Sequence, residues 1–323
     1  MGTYRSRIAV LAALLTALLL VSSCKEEPRW VFQTVEGDAS LLSVSAADPT
    51  HAWTVGGGSI YFFNGVSWAV QVDELEVEPQ DITAVDPSHA WASGGDGRGV
   101  IFAFDGRTWA RQFETQDDSM SAISAADATH VWAVGSNDGG ANIYFFDGSS
   151  WANQFQADIH VQDIHALDST HVWMVAEDRE GGSAVYSFNG SSWSKSYESP
   201  DGELLIGVTA ADPINVWVVG SAPEGGGEAE HIGGSIFHYD GSRWTKQYET
   251  TEEMHRATAA DASNVWATGG IGRNGPIYFF DGNYWRKEFS TTESLFDISA
   301  ADPQHAWAVG GMSGIYTLES DEY

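Results

Sequence analysis

Cysteine is almost absent: Cys24 is the only one in 323 residues, which excludes an intrachain disulfide and any site built on paired thiolates. Basic residues are scarce as well. Lysine and arginine number 15 against 45 aspartates and glutamates, for a formal net charge of −30. Nucleic-acid binding needs the opposite balance, and an anionic lipid surface would repel such a chain. After residue 24 there is no apolar run long enough to span a bilayer and no helical period of useful length. Phosphate-binding loops, nucleophile elbows and paired-cysteine motifs are missing, and His160, His165, His231, His238 and His255 show no metal-ligand spacing on one element. The expectation is a chain that is not an enzyme, with no catalytic residue, no metal and no cofactor.

What is present begins with an export signal. Arg5 and Arg7 precede an apolar run over residues 8–21, which ends in Val21-Ser22-Ser23-Cys24. The run is short for a membrane span and has the order of a cleaved secretory signal. It resembles a bacterial lipoprotein signal, whose last cysteine becomes the diacylated N-terminus. That resemblance implies a signal peptide over 1–23, lipid (palmitate-type acyl chains) on Cys24, and a short tether over 24–29. The mature chain is then expected outside the cytoplasm, at the outer membrane or cell surface, held by acyl chains alone. Removing the leader strips two arginines and no acid, so the mature chain is more acidic still.

Tryptophan reveals the organisation. The 14 tryptophans form two interleaved series, Trp53, Trp91, Trp132, Trp173, Trp217, Trp266, Trp307 and Trp30, Trp68, Trp109, Trp151, Trp193, Trp244, Trp285. Most steps are 38–44 residues, a period that belongs to propeller blades. Each unit reads as four short strands rich in β-branched and aromatic residues, bounded by Gly, Asp, Asn and Pro. In the third unit these are the segments that begin at Ala122, His130, Ile143 and Trp151. The predicted fold is all-β: a seven-bladed propeller over 30–318 with four antiparallel strands per blade, and a tail over 319–323. The seventh unit lacks a fourth strand, whereas Trp30-Val31-Phe32-Gln33 matches Trp151-Ala152-Asn153-Gln154 and has no strands of its own before it. Pairing the two closes the ring, covers an open edge and partners Trp30 with Trp307.

Spacing then separates scaffold from function. Asp48, Asp86, Asp127, Asp168, Asp212, Asp261 and Asp302 end the first strand of each unit, with His or Asn three residues on. These read as turn-holding aspartates rather than metal ligands. The Asp/Asn-Gly turns before each Trp (Asn64-Gly65, Asp105-Gly106, Asp147-Gly148, Asn189-Gly190, Asp240-Gly241, Asp281-Gly282) have hairpin chemistry. Both kinds of turn leave on one face, which is therefore constant. Loops between the second and third strands, and the connections between blades, leave on the other. They vary most in the fifth unit, where the loop holds residues 220–235. Binding residues usually sit on variable loops over a rigid scaffold, and acids with few basic neighbours collect there. The candidate binding residues are Asp178, Glu180, Glu224, Glu228, Glu230, Glu252 and Glu253. The tryptophans, two per blade whatever the loop, are assigned to packing.

The unit Asp-Pro-x-His-x-Trp-Ala-Val-Gly … Gly-x-Ile-Tyr-x-x-Asp-Gly-x-x-Trp resembles the repeats of bacterial exported propellers related to the photosystem II assembly factor and BNR-type families. More loosely, it is similar to tectonin-type lectin repeats. The first resemblance implies a scaffold that binds a protein, and the second a lectin that binds glycans. The hairpin turns also look like the Asp-box of sialidases with one residue fewer, but a glycoside hydrolase of that kind needs converging arginines and the 11 here are scattered. The expected partner is an envelope or secreted protein, with a cationic surface, or a glycan. The chain is expected to be a monomer, attached to membrane through its lipid only.

Overall fold

A computed structural model of the protein describes residues 29–35, 39–199, 203–221 and 233–319. Each repeat folds as one antiparallel sheet of four strands, and the seven sheets form a seven-bladed β-propeller. Blade three is representative, with strands Ser119–Asp127, His130–Asn137, Gly140–Phe146 and Trp151–Ala157. First strands of successive blades pack on one another around the axis. Second and third strands are apolar on both sides because each side meets a neighbouring blade. The hydrophobic core is accordingly divided into seams: Trp53 of blade one packs with Ile82, Ala90 and Phe104 of blade two. Trp132 of blade three does the same with Val172 and Phe188 of blade four.

The turns explain the constant face. Each first-strand aspartate accepts the backbone N–H two residues on, as Asp127 does from Thr129 at 2.7 Å. It also meets the ring nitrogen of the following His, or the amide of Asn, as in Asp127–His130 and Asp261–Asn264. The hairpin glycines need positive φ: Gly148 has φ 88°, and a Cβ there would lie 2.8 Å from the Thr129 side chain. That close approach puts the two kinds of turn side by side on one face. At the other ends of the strands, a Cβ on Gly94 would strike the Glu78 carbonyl oxygen at 2.1 Å. Blade connections and second-to-third-strand loops thus share the opposite, variable face.

Closure follows the predicted pairing. The N-terminal strand Arg29–Thr34 lies antiparallel to Gly314–Glu319 as the outer strand of blade seven, with Trp30 opposite Leu318. Strand residues extend one position beyond the predicted limits at each end. Two details go beyond the sequence reading. Trp30 shares the blade-seven sheet with Trp307, as two tryptophans per blade require, but its indole packs across the seam with Trp266 of blade six. The fourth strands of blades one to six carry a bulge, seen between Ile143 and Tyr144, whereas Arg29–Thr34 pairs without one. Gln33 therefore sits opposite Ile315 and does not reach the place that Gln154 reaches. The Trp68 and Trp307 indole nitrogens stay buried without a partner.

Candidate functional site

Two rings of residues, most of them polar, line the channel along the axis. One lies three residues before each turn aspartate: Ser45, Thr83, Ser124, His165, Thr209, Thr258 and Ser299. Its hydroxyls accept backbone N–H groups of the next blade, as from Ala84 to Ser45 at 2.9 Å and from Ala46 to Ser299 at 3.1 Å. The other lies five residues before: Ser43, Asp81, Ala122, Asp163, Gly207, Arg256 and Asp297. Each aspartate of this ring leans over a small residue and accepts an N–H from the next blade. Asp297 takes Val44 N at 2.8 Å, Asp81 takes Ile123 N at 2.7 Å, and Asp163 takes Val208 N at 2.9 Å. Arg256 reaches over Gly207, donating to the Ile206 carbonyl at 3.2 Å and lying 3.8 Å from Asp163 Oδ1.

Three acids enclosed in the channel against one arginine cannot all ionise cheaply. Burial pushes Asp297 up to about 7, with the Asp81 charge adding to the rise and Arg256 opposing it. Burial likewise carries Asp163 to about 6 and raises Asp81. Geometry says the same. The Ser43 hydroxyl lies 2.6 Å from Asp81 Oδ1 and 2.8 Å from Asp297 Oδ2. A hydroxyl has a single proton to donate, so the second contact requires a proton on one of the two carboxyls. Below about pH 7, Asp297, raised by burial, can supply that proton to the Asp81–Ser43–Asp297 group between blades one, two and seven.

On the variable face the channel opens into a depression of about 920 Å³. Its floor is apolar, from Leu42, Val77, Ile206 and Phe296, and its rim carries Glu78, Asp96, His255 and Arg256. Glu76 belongs to the rim but is neutralised: Arg98 and Arg111 both contact it at 3.1 Å, and both also pair with Glu114.

The residues singled out from sequence lie elsewhere on this face. Asp178 is committed to its own turn, accepting Glu180 N and Gly182 N at 2.9 Å each. It borders a shallow depression of about 190 Å³ with Asp138, Asp158 and Arg179, while Glu180 is exposed at the tip. Glu252 is saturated by Lys287 at 2.7 Å, Asn274 at 2.7 Å and the Tyr278 hydroxyl. Burial would raise its carboxyl, but these donors outweigh it and leave it below its ordinary value. Glu253 faces the His255 ring at 3.4 Å. Asp118, another acid of this face, is buried under Asn142 and Tyr144. Glu224, Glu228 and Glu230 lie outside the described residues, as does Cys24. The described candidates thus do not converge on one cavity, and the channel acids were not among them.

No protein-family model matches the chain, and no curated protein does. Solved structures do. YCF48 bound to D1 peptide matches with a TM-score of 0.68 at 16% identity, covering 90% of this chain and 97% of that one. YCF48 from Cyanidioschyzon merolae gives 0.66 at 15%, covering 90% and 98%. Virginiamycin B lyase from Staphylococcus aureus gives 0.69 at 11%, covering 91% and 99%. The likeness is one of fold. It joins binding propellers and enzymes alike, so function must be argued from the site.

Proposed function

We propose that this chain is a non-catalytic binding propeller, held through lipid on Cys24 at the extracytoplasmic side of a membrane, whose variable-loop face receives a cationic segment of an envelope or secreted protein. The observation that carries the reading is the open depression over the channel mouth. It is the size of a peptide segment, apolar at its floor and mixed in charge at its rim, where Glu78 and Asp96 stand beside Arg98 and Arg256, and it lies on the face where loops differ from blade to blade. Pockets of that make-up are the usual binding-site candidates. That a propeller of the same shape holds a peptide supports the reading by analogy.

The test uses a Lys/Arg-rich peptide immobilised on a sensor surface. Glu78→Gln with Asp96→Asn, or Glu224→Gln, Glu228→Gln and Glu230→Gln together, should slow association several-fold. Arg107→Gln on the constant face should leave it unchanged. Binding should weaken as salt rises, because exposed charges are screened beyond about 8–10 Å at physiological salt. Affinity indifferent to salt and to the variable-face acids, or sensitive only to the constant face, would overturn the assignment.

A further inference from the structure

At five seams one side chain satisfies two indoles. Gln71 Oε1 accepts from Trp53 at 2.9 Å and from Trp109 of the next blade at 2.7 Å. Gln112 serves Trp91 and Trp151, Gln154 serves Trp132 and Trp193, and Gln247 serves Trp217 and Trp285. Glu288 serves Trp266 and Trp30. The bridging residue always stands three positions after the fourth-strand tryptophan. In blade four that residue is Ser196, whose hydroxyl is turned to the Val185 carbonyl at 3.2 Å. Among the described residues, no acceptor meets the indole nitrogens of Trp173 and Trp244.

A second truncation falls at the same seam. Phe62, Phe145 and Phe279 cover the tryptophans of blades one, three and six at 4.9–5.0 Å between ring centres, and His238 covers Trp217 at 4.8 Å. Opposite Trp173 stands Ser187. Blade two has Ala103 opposite Trp91 but keeps its glutamine bridge. The seam between blades seven and one lacks a bridge too, but its indole nitrogens are sealed from solvent. There too the aromatic cover is missing, since Thr317 stands opposite Trp307; among the described residues, only the seam between blades four and five joins both truncations to indole nitrogens outside that sealed set. A cavity of about 690 Å³ opens there, lined by Trp173, Ser187, Ser196, Tyr197, Tyr239 and Trp244. Trp173 is 5% exposed, the most of the seven second-strand tryptophans.

We propose that this seam is a binding site for an acetamido-bearing sugar. Its acetamido carbonyl oxygen takes the place that a glutamine amide oxygen fills at the other seams, and its ring lies in the cavity against the aromatic wall of Tyr197, Tyr239 and Trp244. An aromatic wall with a few convergent polar groups is the ordinary form of a small-ligand pocket, and an indole face suits the apolar side of a sugar ring. A neutral amide fits better than a carboxylate. The nearby Arg243 is 77% exposed and turned toward Asp240 at 3.7 Å, while His171 is tied to Asp168 at 2.9 Å. The site is independent of the proposed partner surface, since its rim is built from constant-face turns.

The test is NMR titration of the whole chain with N-acetylglucosamine and its β-1,4-linked dimer. The readout is the indole N–H signals of Trp173 and Trp244, assigned by Trp→Phe substitution. Both signals should shift and saturate, whereas glucose, cellobiose and acetate should leave them in place. Ser196→Gln rebuilds the missing bridge and should weaken binding by about tenfold or more, with a melting temperature unchanged or raised. Ser187→Phe, which fills the cavity beside Trp173, should act in the same way, so the site stays testable if one variant fails to fold. Absence of any shift, equal binding of glucose or acetate, or undiminished binding by both variants would overturn the site.

Discussion

The turn aspartates and the channel aspartates are the same residue type with opposite fates. At Asp127, burial would raise the carboxyl, but hydrogen bonds from Thr129 and His130 outweigh it and hold the group down at about 2. Its stabilisation is present above the ordinary aspartate value and is lost as pH falls toward 2. Asp297, raised to about 7, keeps its proton in the fold and loses it near 4 when unfolded. Its stabilisation is complete below about pH 4 and disappears as pH rises toward 7. Asp163, raised to about 6, acts in the same direction. Stability should therefore fall between pH 4 and 8, on the order of a few kcal/mol over the window. Asp297→Asn, which has the shape of the protonated acid, should flatten that decline. Urea unfolding at pH 5 and pH 8 measures it, and an unchanged slope in the variant would refute the shared proton. Only the turn set was legible in the sequence, because the same letter recurs in every unit. The channel position reads Ser, Asp, Ala, Asp, Gly, Arg, Asp around the ring, so no repeat marks it until the axis brings the blades together.

Among the strands, the one that closes the ring carries the most consequence. Trp30 is 7% exposed and its indole donates to Glu288 at 3.0 Å. Deleting residues 29–34 removes that packing, at a cost of about 3–5 kcal/mol for the tryptophan alone, and leaves the Gly314–Glu319 edge open to pairing with other chains. A lower melting temperature together with concentration-dependent association, followed by scanning calorimetry and light scattering, is the expected result; an unchanged monomer would disprove the closure. The pairing itself could be read from sequence, since blade seven lacked a strand and the N-terminus had one to spare. The missing bulge could not. A bulge depends on the register against the partner strand, and the letters Trp-Val-Phe-Gln are compatible with either register. The bridging role of Gln71 and its counterparts was hidden for a related reason: it joins two indoles from different repeats, a relation invisible within one repeat.

For the whole molecule, the point where the chain enters the propeller and the placing of the loops define two opposite faces. Arg29 pairs with Glu319, at the end of the strand from which other blades enter their Asp-Gly turns, so the chain enters the propeller on the constant face. Cys24 lies five residues before Arg29, a tether that spans at most about 17 Å. If Cys24 carries lipid, the constant face is held near the bilayer and the variable face points away from it. Strands of six to nine residues, such as His89–Gly94 and Ser119–Asp127, separate the two faces by about 20–30 Å. Such a separation is readable by energy transfer. On vesicles bearing an acceptor-labelled lipid, a fluorophore on Ser150→Cys at a constant-face turn should be quenched strongly, and one on Glu180→Cys at the variable face weakly. Acylation of Cys24 leaves the introduced thiol as the only one to label. The Cys24→Ser chain should stay in the soluble phase or remain uncleaved, because among the described residues no helix is long and apolar enough to cross a membrane. Equal quenching at the two sites would reject the orientation, and a processed Cys24→Ser protein still extracted only by detergent would reject the lipid anchor.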